Sequence, residues 1–313
     1  MESKTIREVL LEDACIKVVD GINVAPIPPL NITFGLGANA EYFGHKKWGK
    51  QYLDAVHRDQ EFIDRWNEAT GPWDNKIVVD IGCGPGNVFA SLGGKPKLLI
   101  GVDISFGALK MAKNLGYTQL LADAQDLPLR SGFADIVVIN ATLHHVDDMK
   151  AVLSEAARLV KPGGILVTDQ DTQLSAMNFK GLGYQMWIIR YLIYRFTKRG
   201  GHASAYEQRC AIAGEVHQVC GDGVTNDLYH SVLEQQDFDV KIYPHNNTLG
   251  TEVFKGNMGR ANFKYRLAQR LSGMNPSDSS SALSLMCVAH KKPTKKKITK
   301  RFEATQAKSL SII

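Results

Sequence analysis

The stretch KIVVDIGCGPGNVFASL, residues 76–92, determines the fold. It begins with an apolar run at residues 77–81, the pattern of a parallel strand that is buried on both faces. The run breaks into a turn that contains three glycines, Gly82, Gly84 and Gly86. Helical apolar spacing follows the turn, and Asn87 is the predicted N-cap. A glycine turn between a strand and a helix exposes backbone N–H groups at a positive helix end, so a ligand can approach the backbone closely.

Two cofactor-binding motifs begin in this way. The dinucleotide fingerprint G-x-G-x-x-G requires a third glycine at position 87, where this chain has Asn87. The glycines follow G-x-G-x-G instead, with Asp80 two residues before the first one. This pattern resembles motif I of the class I S-adenosylmethionine-dependent methyltransferases. A second acid, Asp103, ends the next predicted strand, where an acidic side chain can bind a ribose diol.

The next part of the chain strengthens this resemblance. A DA–DLP sequence begins at Asp123, LHHV occupies residues 143–146, and E-x-x-R-L-V-K-P-G-G occupies residues 155–164. Together they resemble the broad group of small-molecule methyltransferases that act on quinones, sterols and natural products. The resemblance covers residues 77–171 and implies S-adenosylmethionine as the cofactor.

The apolar pattern predicts an α/β fold, a Rossmann-like sheet of seven strands with helices on both faces. An aromatic, helical segment before the sheet resembles a lid over the cofactor, and a long insert with an apolar helix at residues 184–196 precedes the sixth strand. The predicted divisions are a lid (1–70), the cofactor-binding half of the core (71–171), a helical substrate-pocket insert (172–224), the rest of the core (225–290) and a basic flexible tail (291–313).

Composition limits the classes of protein. With 44% hydrophobic and 22% charged residues among 313, the chain has an ordinary globular balance. We found neither a signal-peptide pattern nor an apolar run long enough to span a membrane, and the five cysteines are scattered, so we expect a cytoplasmic protein with reduced thiols.

The net charge of +5 is concentrated near the C-terminus. Seven cations account for it: Lys291, Lys292, Lys295, Lys296, Lys297, Lys300 and Arg301. The rest of the chain then carries a net charge of about −2. A broad basic face is therefore absent from the sequence outside this tail, and we expect no nucleic-acid partner.

The resemblance implies a set of cofactor-binding residues, which we carried over position by position. Asp103 is expected to bind the ribose, the glycine turn to lie against the methionine part, and Asp80 to orient the turn or the amino group. Asp123 or the amide of Ala124 is expected to meet the adenine. The full predicted set is Tyr42, Asp80, Gly82, Cys83, Gly84, Asp103, Ile104, Asp123, Ala124 and Asn140.

Methyl transfer depends mainly on the positioning of the acceptor against the methyl group, and only some acceptors need a general base. His144 and His145 follow the fourth predicted strand and Asp169 ends the fifth, so all three should emerge at the edge of the sheet where ligands bind. They are the candidate catalytic residues, although the histidines could equally hold their loop in place. Cys210, His217 and Cys220 lack the second close cysteine pair of a zinc site, so we expect no metal.

A lid and an insert suggest a closed chamber, which suits a small acceptor. We therefore expect methyl transfer to a hydroxyl or amine of a largely apolar or aromatic metabolite of the natural-product type. One alternative is a membrane-associated lipid or quinone methyltransferase, because the apolar helix at residues 184–196 and the basic tail could contact a membrane surface weakly. An alternative of another class is a non-catalytic module that only binds S-adenosylmethionine. The oligomeric state is open.

Overall fold

The apolar run at residues 77–81 forms the central strand of a nine-stranded sheet. The computed structural model describes residues 6–27, 33–197 and 204–294. In chain order the strands are β1 (Lys17–Val19), β2 (Ile22–Val24), β3 (Ile77–Ile81), β4 (Leu98–Asp103), β5 (Thr118–Leu121), β6 (Ala134–Asn140), β7 (Val160–Asp169), β8 (Phe238–His245) and β9 (Ser284–Lys291). The spatial order is β1-β2-β5-β4-β3-β6-β7-β9-β8. The five strands from β5 to β7 in that order are parallel, whereas β9 is antiparallel to both of its neighbours.

The described helices are α1 (Phe34–Gly44), α2 (Lys46–Ala55), α3 (Gln60–Thr70), α4 (Asn87–Leu92), α5 (Phe106–Lys113), α6 (Met149–Leu159), α7 (Gly181–Thr197), α8 (Ala205–Gly214), α9 (Asn226–Leu233) and α10 (Phe263–Leu271). Two apolar clusters separate them into layers. Val79 and Ile81 face a cluster that includes residues of α6 and α9, and Val78 faces a second cluster with residues of α3, α4 and α5. Both faces of the sheet are covered, as the uninterrupted apolar runs predict.

The sheet has nine strands, so the prediction of seven is wrong at one edge. The two additional strands, β1 and β2, form a hairpin that pairs with β5. Asp20 and Gly21 form the turn between them, with φ values of 51° and 75°. Two consecutive residues with positive φ suit the twist of a tight hairpin. Ile22 is fully buried and fixes the hairpin to the core, and a single helical turn at Ile6–Glu8 precedes it.

The start of α4 also differs from expectation. Its N-cap is Gly86 in a left-handed conformation (φ 98°), and Asn87 is the first helical residue. The Asn87 amide donates instead to the backbone carbonyls of Tyr52 and Val56, at 3.0 and 3.1 Å. The glycine turn is therefore fixed to the end of α2, and the N-terminal helices are held over the sheet.

The lid and the core also meet at a close backbone contact. A Cβ atom at Gly107, near the start of α5, would overlap the backbone of Gly44 at the end of α1. The Ser105 hydroxyl donates to the Ala40 carbonyl at 2.7 Å. Small residues at this crossing therefore let α1 lie directly against the core.

The predicted insert helix is present as α7 and has two different sides. Trp187 is buried against the rings of Phe179 and Tyr265, at centroid distances of 4.9 and 5.0 Å. The opposite side is exposed and apolar, formed by Leu182, Ile189, Leu192, Ile193 and Phe196. Lys198 and Arg199, which follow this helix in the sequence, lie outside the described residues, as does the basic tail beyond residue 294. In the described part of the chain, every helix is too short or too polar to cross a bilayer.

A buried ion pair joins α3 to the sheet. Arg65 Nε donates to Asp169 Oδ2 at 3.0 Å, and both side chains are almost completely buried. His245 Nε2 lies 2.7 Å from the other oxygen, Asp169 Oδ1. Although burial opposes ionisation, the Arg65 guanidinium and His245 hold the pKa of Asp169 well below its usual range. Asp169 therefore stays ionised and connects α3, β7 and β8.

We predict that Arg65→Met lowers the free energy of unfolding by about 3–5 kcal/mol, because it leaves a buried carboxylate without its cation. Urea denaturation followed by circular dichroism measures this change. The matched control is Lys50→Met, which removes the cation of an exposed pair with Asp54 and should cost at most about 1 kcal/mol. Equal losses in the two variants would contradict the role of the buried pair.

Candidate active site

A cavity with about 840 Å³ of empty space lies over the carboxyl ends of β3, β4, β5 and β6. Leu36, Phe43 and Tyr52 of the N-terminal helices close it on the side away from the sheet. Cofactor pockets occur at this edge of open parallel sheets. Most of the predicted cofactor-binding residues line the cavity: Gly82, Cys83, Gly84, Asp103, Ile104, Asp123, Ala124 and Asn140.

The glycine turn leaves room for a ligand. Gly82 has φ 70°, and a Cβ atom there would collide with the side chain of Thr142. Gly84 has φ 53°, and a Cβ atom there would meet no described protein atom within 4 Å. The turn thus packs closely against Thr142 at Gly82 and faces open space at Gly84.

Asp103 holds the turn and faces the same space. Its Oδ2 atom accepts a hydrogen bond from the Gly84 N–H at 2.7 Å, and its Oδ1 atom accepts from the Ser105 N–H at 2.8 Å. Burial raises the pKa of Asp103 to about 6, although these backbone N–H groups oppose the rise. A carboxylate at this position can still accept hydrogen bonds from the two hydroxyls of a ribose.

Two predicted residues do not line the cavity. Asp80 lies beneath the turn, where its Oδ2 atom accepts a hydrogen bond from the Tyr117 hydroxyl at 2.6 Å and burial raises its pKa to about 7. Tyr42 stacks on Trp48, with ring centroids 5.4 Å apart, and its neighbour Phe43 faces the cavity instead. Asp80 is therefore suited to orienting the turn and not to direct contact with a ligand.

The structure adds polar groups that sequence reasoning missed. His57 lies in the cavity wall, where burial lowers its pKa to about 4 and leaves the ring neutral. The Asn140 amide donates to its Nε2 atom at 2.9 Å, with the Tyr52 hydroxyl 3.3 Å away. The side-chain carbonyl oxygens of Asn87 and Asn140 are buried in the cavity wall without a hydrogen-bond partner among the described residues. Unpaired acceptors fit a ligand that carries an ammonium group.

The histidine pair lies on a short turn, Leu143–His145, after β6. His145 lines the cavity, and its Nδ1 atom is 2.7 Å from the Gly214 carbonyl oxygen. Because a carbonyl oxygen only accepts, Nδ1 carries the proton. Burial and the neighbouring His144 hold the pKa of His145 well below its usual range, so the ring is neutral.

His144 lies behind His145, with ring centroids 3.9 Å apart. Its Nδ1 atom is 2.8 Å from Asp171 Oδ1, and its Nε2 atom is 3.5 Å from Glu215 Oε2. The carboxylate that orients this histidine is therefore Asp171. Asp169, which we had expected near the histidines as a catalytic group, has both oxygens engaged by Arg65 and His245 and is unavailable as a base.

Comparison with known proteins places the chain in a family. A family model described as a methyltransferase domain matches residues 79–168. The ubiquinone biosynthesis O-methyltransferase of Thiobacillus denitrificans is 31% identical over 169 residues, which cover 50% of this chain and 69% of that protein. The chain belongs to the S-adenosylmethionine-dependent methyltransferases. The resemblance of the sequence motifs to this family is thereby confirmed, and so is the expected cofactor.

For other curated relatives, the aligned region covers a smaller share of the relative's own length. The tRNA (carboxymethyluridine(34)-5-O)-methyltransferase of Arabidopsis thaliana is 38% identical over 145 residues, which cover 41% of this chain and 35% of that protein. Among solved structures, the [4+2]-cyclase SpnF aligns with a TM-score of 0.50 and 14% identity over 86% of this chain and 98% of SpnF. A structural likeness at this identity supports the fold alone, and the names of the relatives cover several different substrates.

We predict that Asp103→Ala lowers the affinity for S-adenosylhomocysteine about 10- to 100-fold, because hydrogen bonds to a charged acceptor each contribute about 1.5–3 kcal/mol. Since burial raises the pKa of Asp103 to about 6, the affinity of the wild-type methyltransferase should also fall as the pH decreases from 7.5 to 5.5. Isothermal titration calorimetry measures both effects.

The control is Asp126→Ala, which removes an exposed acid outside the cavity and should leave the affinity unchanged. Asp103→Asn should bind weakly with little dependence on pH in this range. Wild-type affinity in Asp103→Ala would contradict the assignment of this residue to the ribose.

Proposed function

We propose that this methyltransferase transfers a methyl group to a hydroxyl or amine of a small, largely apolar or aromatic metabolite. The observation that carries the proposal is the cavity that joins the glycine turn and Asp103 to His145. Asp103 would hold the ribose, Asp123 and Ala124 the adenine, and the turn with Asn87 and Asn140 the methionine part. His145 then lies on the wall where an acceptor would meet the methyl group.

S-adenosylmethionine supplies a methyl group on a sulfonium, whose positive charge already activates the leaving sulfur. The residues of this chain have to align the acceptor with the bond that breaks and keep water away from it. Leu36, Phe43 and Val146 provide an apolar wall for this purpose. In such a transfer the acceptor atom would bond to the methyl carbon as the carbon–sulfur bond breaks, and its proton would pass to the unprotonated Nε2 atom of His145 or to water. A hydroxyl acceptor would therefore react faster when a side chain such as His145, on this wall of the cavity, can take its proton.

A second cavity in the insert supports an aromatic acceptor. It has about 570 Å³ of empty space and is lined by Trp187, Arg190, Tyr265 and Glu215, among others. The Arg190 guanidinium lies 3.6 Å from the centroid of the Trp187 ring. Glu215 lies between this cavity and His144. An aromatic acceptor with a partly negative group would suit this lining, with its reacting end directed past the histidines towards the cofactor.

Turnover with labelled S-adenosylmethionine and a panel of phenols, amines, quinone precursors, peptides and tRNA tests the proposal. We expect transfer to a small phenol or amine, and we expect His145→Ala to lower kcat about 100-fold or more while S-adenosylhomocysteine binds normally. His230→Ala, a half-exposed histidine paired with Glu234, is the matched control. Preferential methylation of peptide or RNA would contradict the proposal.

The alternative of a non-catalytic binding module gives a different result in the same assay. It predicts that S-adenosylhomocysteine binds as described above while no acceptor of any class is methylated. The unpaired acceptors and the open glycine turn suit both functions, whereas His145 in the cavity wall favours an enzyme.

One observation favours a second candidate, a membrane-associated enzyme that acts on a lipid or quinone. The exposed side of α7 carries five large apolar residues, and Phe196 is 86% exposed. An amphipathic helix of this kind can lie in the membrane interface.

We predict that a Leu192→Glu and Phe196→Glu double variant abolishes cosedimentation with vesicles of phosphatidylcholine and phosphatidylglycerol. The matched control is the Val18→Glu and Val19→Glu double variant, which places the same two charges on exposed apolar sites of the β1–β2 hairpin. If the wild-type enzyme does not bind these vesicles at low salt, or if both changes weaken binding equally, the membrane-associated candidate is wrong.

A further inference from the structure

Two histidines and one glutamate converge beside the cofactor cavity. His144, His145 and Glu215 each offer one ligand atom, and these atoms all lie within 4.8 Å of one another. In residues 6–27, 33–197 and 204–294 this is the sole group of three or more histidine, cysteine or acidic side chains so arranged. Cys210, His217 and Cys220, the combination considered from the sequence, do not come together in this way.

The hydrogen bonds of both histidines leave the same ring nitrogen available. His144 Nδ1 donates to Asp171 Oδ1 at 2.8 Å, and His145 Nδ1 donates to the Gly214 carbonyl oxygen at 2.7 Å. In its neutral form each ring therefore has its lone pair on Nε2. Histidines that bind metals are usually oriented in this way, with the other ring N–H donated to a carboxylate or a backbone carbonyl.

Glu215 supplies an unpaired acceptor. Its Oε2 atom is buried and lacks a hydrogen-bond partner among the described residues, although it lies 3.5 Å from His144 Nε2. This separation exceeds the usual N–H···O range of about 2.7–3.2 Å. It matches the distance of about 3.4 Å between two ligand atoms of a tetrahedral ion with metal–nitrogen bonds of about 2.1 Å. When His144 is neutral, its Nε2 atom and Glu215 Oε2 face each other as two acceptors, and a metal ion at this spacing would bind both.

We propose that His144, His145 and Glu215 form a binding site for a divalent transition-metal ion, with one coordination position directed towards the acceptor. Two imidazole nitrogens and one carboxylate oxygen suit ions such as Zn²⁺, Fe²⁺ or Co²⁺, and three protein ligands leave a position open. The expectation of no metal, which rested on cysteine spacing, did not consider this combination. Since this inference rests on the proposed function, it narrows the acceptor to one with an oxygen that can bind a metal.

The chemical role follows from the position of the site. A hydroxyl oxygen bound to a divalent cation has a lower pKa, so it loses its proton to water more readily and becomes a better nucleophile. That oxygen then forms the bond to the methyl carbon as the carbon–sulfur bond breaks. His144 and His145 follow β6 whereas Glu215 follows α8, so the same ligands would also connect the insert to the core.

Titration with Co²⁺ after treatment with a chelator tests the site without any need for turnover. We expect one ion per full-length chain, with visible absorption typical of tetrahedral or five-coordinate cobalt, and displacement by Zn²⁺. Glu215→Gln and His144→Ala should each weaken Co²⁺ binding at least tenfold. The control pair is His230→Ala and Glu234→Gln, an exposed histidine–glutamate pair on and beside α9, which should change nothing.

Binding of S-adenosylhomocysteine, measured on the same samples, shows that each variant is folded. If the wild-type protein binds this ligand but shows no cobalt absorption, the metal site is overturned and the proposed methyl transfer still stands. If cobalt binds equally well in Glu215→Gln and His144→Ala, the ligand set is wrong. Conversely, metal binding without methylation of any acceptor would leave the site intact and contradict the proposed function.

Discussion

The hydrogen bond from the Gly84 N–H to the Asp103 carboxylate connects the ends of the two central strands, and the site depends on it. It fixes a turn in which Gly82 and Cys83 also donate to the Val102 carbonyl, at 2.8 and 3.1 Å. The backbone of this turn has positive φ at alternate residues, Gly82, Gly84 and Gly86, a conformation that glycine adopts without strain. The cavity, its buried acid and the start of α4 all follow from this turn.

Three buried carboxylates near this edge of the sheet show how environment sets their use. Burial raises the pKa of Asp80 and of Asp103. The hydrogen bonds that each carboxylate accepts only partly oppose this rise. Asp169 is equally buried, yet Arg65 and His245 keep its pKa low. Asp103 can respond to a ligand and Asp80 is suited to orienting the turn, whereas Asp169 is already neutralised within the protein and connects α3 to the sheet.

Much of the core was predictable, because parallel strands buried on both faces give continuous apolar runs that end in glycine or acid. The hairpin β1–β2 was missed although VVDGINV, residues 18–24, contains the Asp-Gly signal of a tight turn between β-branched residues. Asp171 was missed because Asp169 ends the strand and Asp171 follows it by two residues, and only the fold decides which one meets His144. Glu215 and His57 could not have been found, since their roles depend on contacts between distant parts of the chain.

The insert marks the limit of sequence reasoning in another way. Its helix α7 is apolar on most sides, so the pattern alone did not decide which side packs on the core. The structure buries Trp187 and exposes Leu192 and Phe196, a division set by α10 and the segment before α7. The buried side of α7 lines the second cavity through Trp187, and the opposite side exposes apolar side chains to solvent.

A crystal structure with bound S-adenosylhomocysteine is the most direct test of the account. The proposed site predicts that the ribose hydroxyls lie within hydrogen-bond distance of Asp103 and that the sulfur atom is directed towards the wall that carries His145. A ligand whose ribose lies away from Asp103, or whose sulfur faces away from the histidine pair, would contradict it.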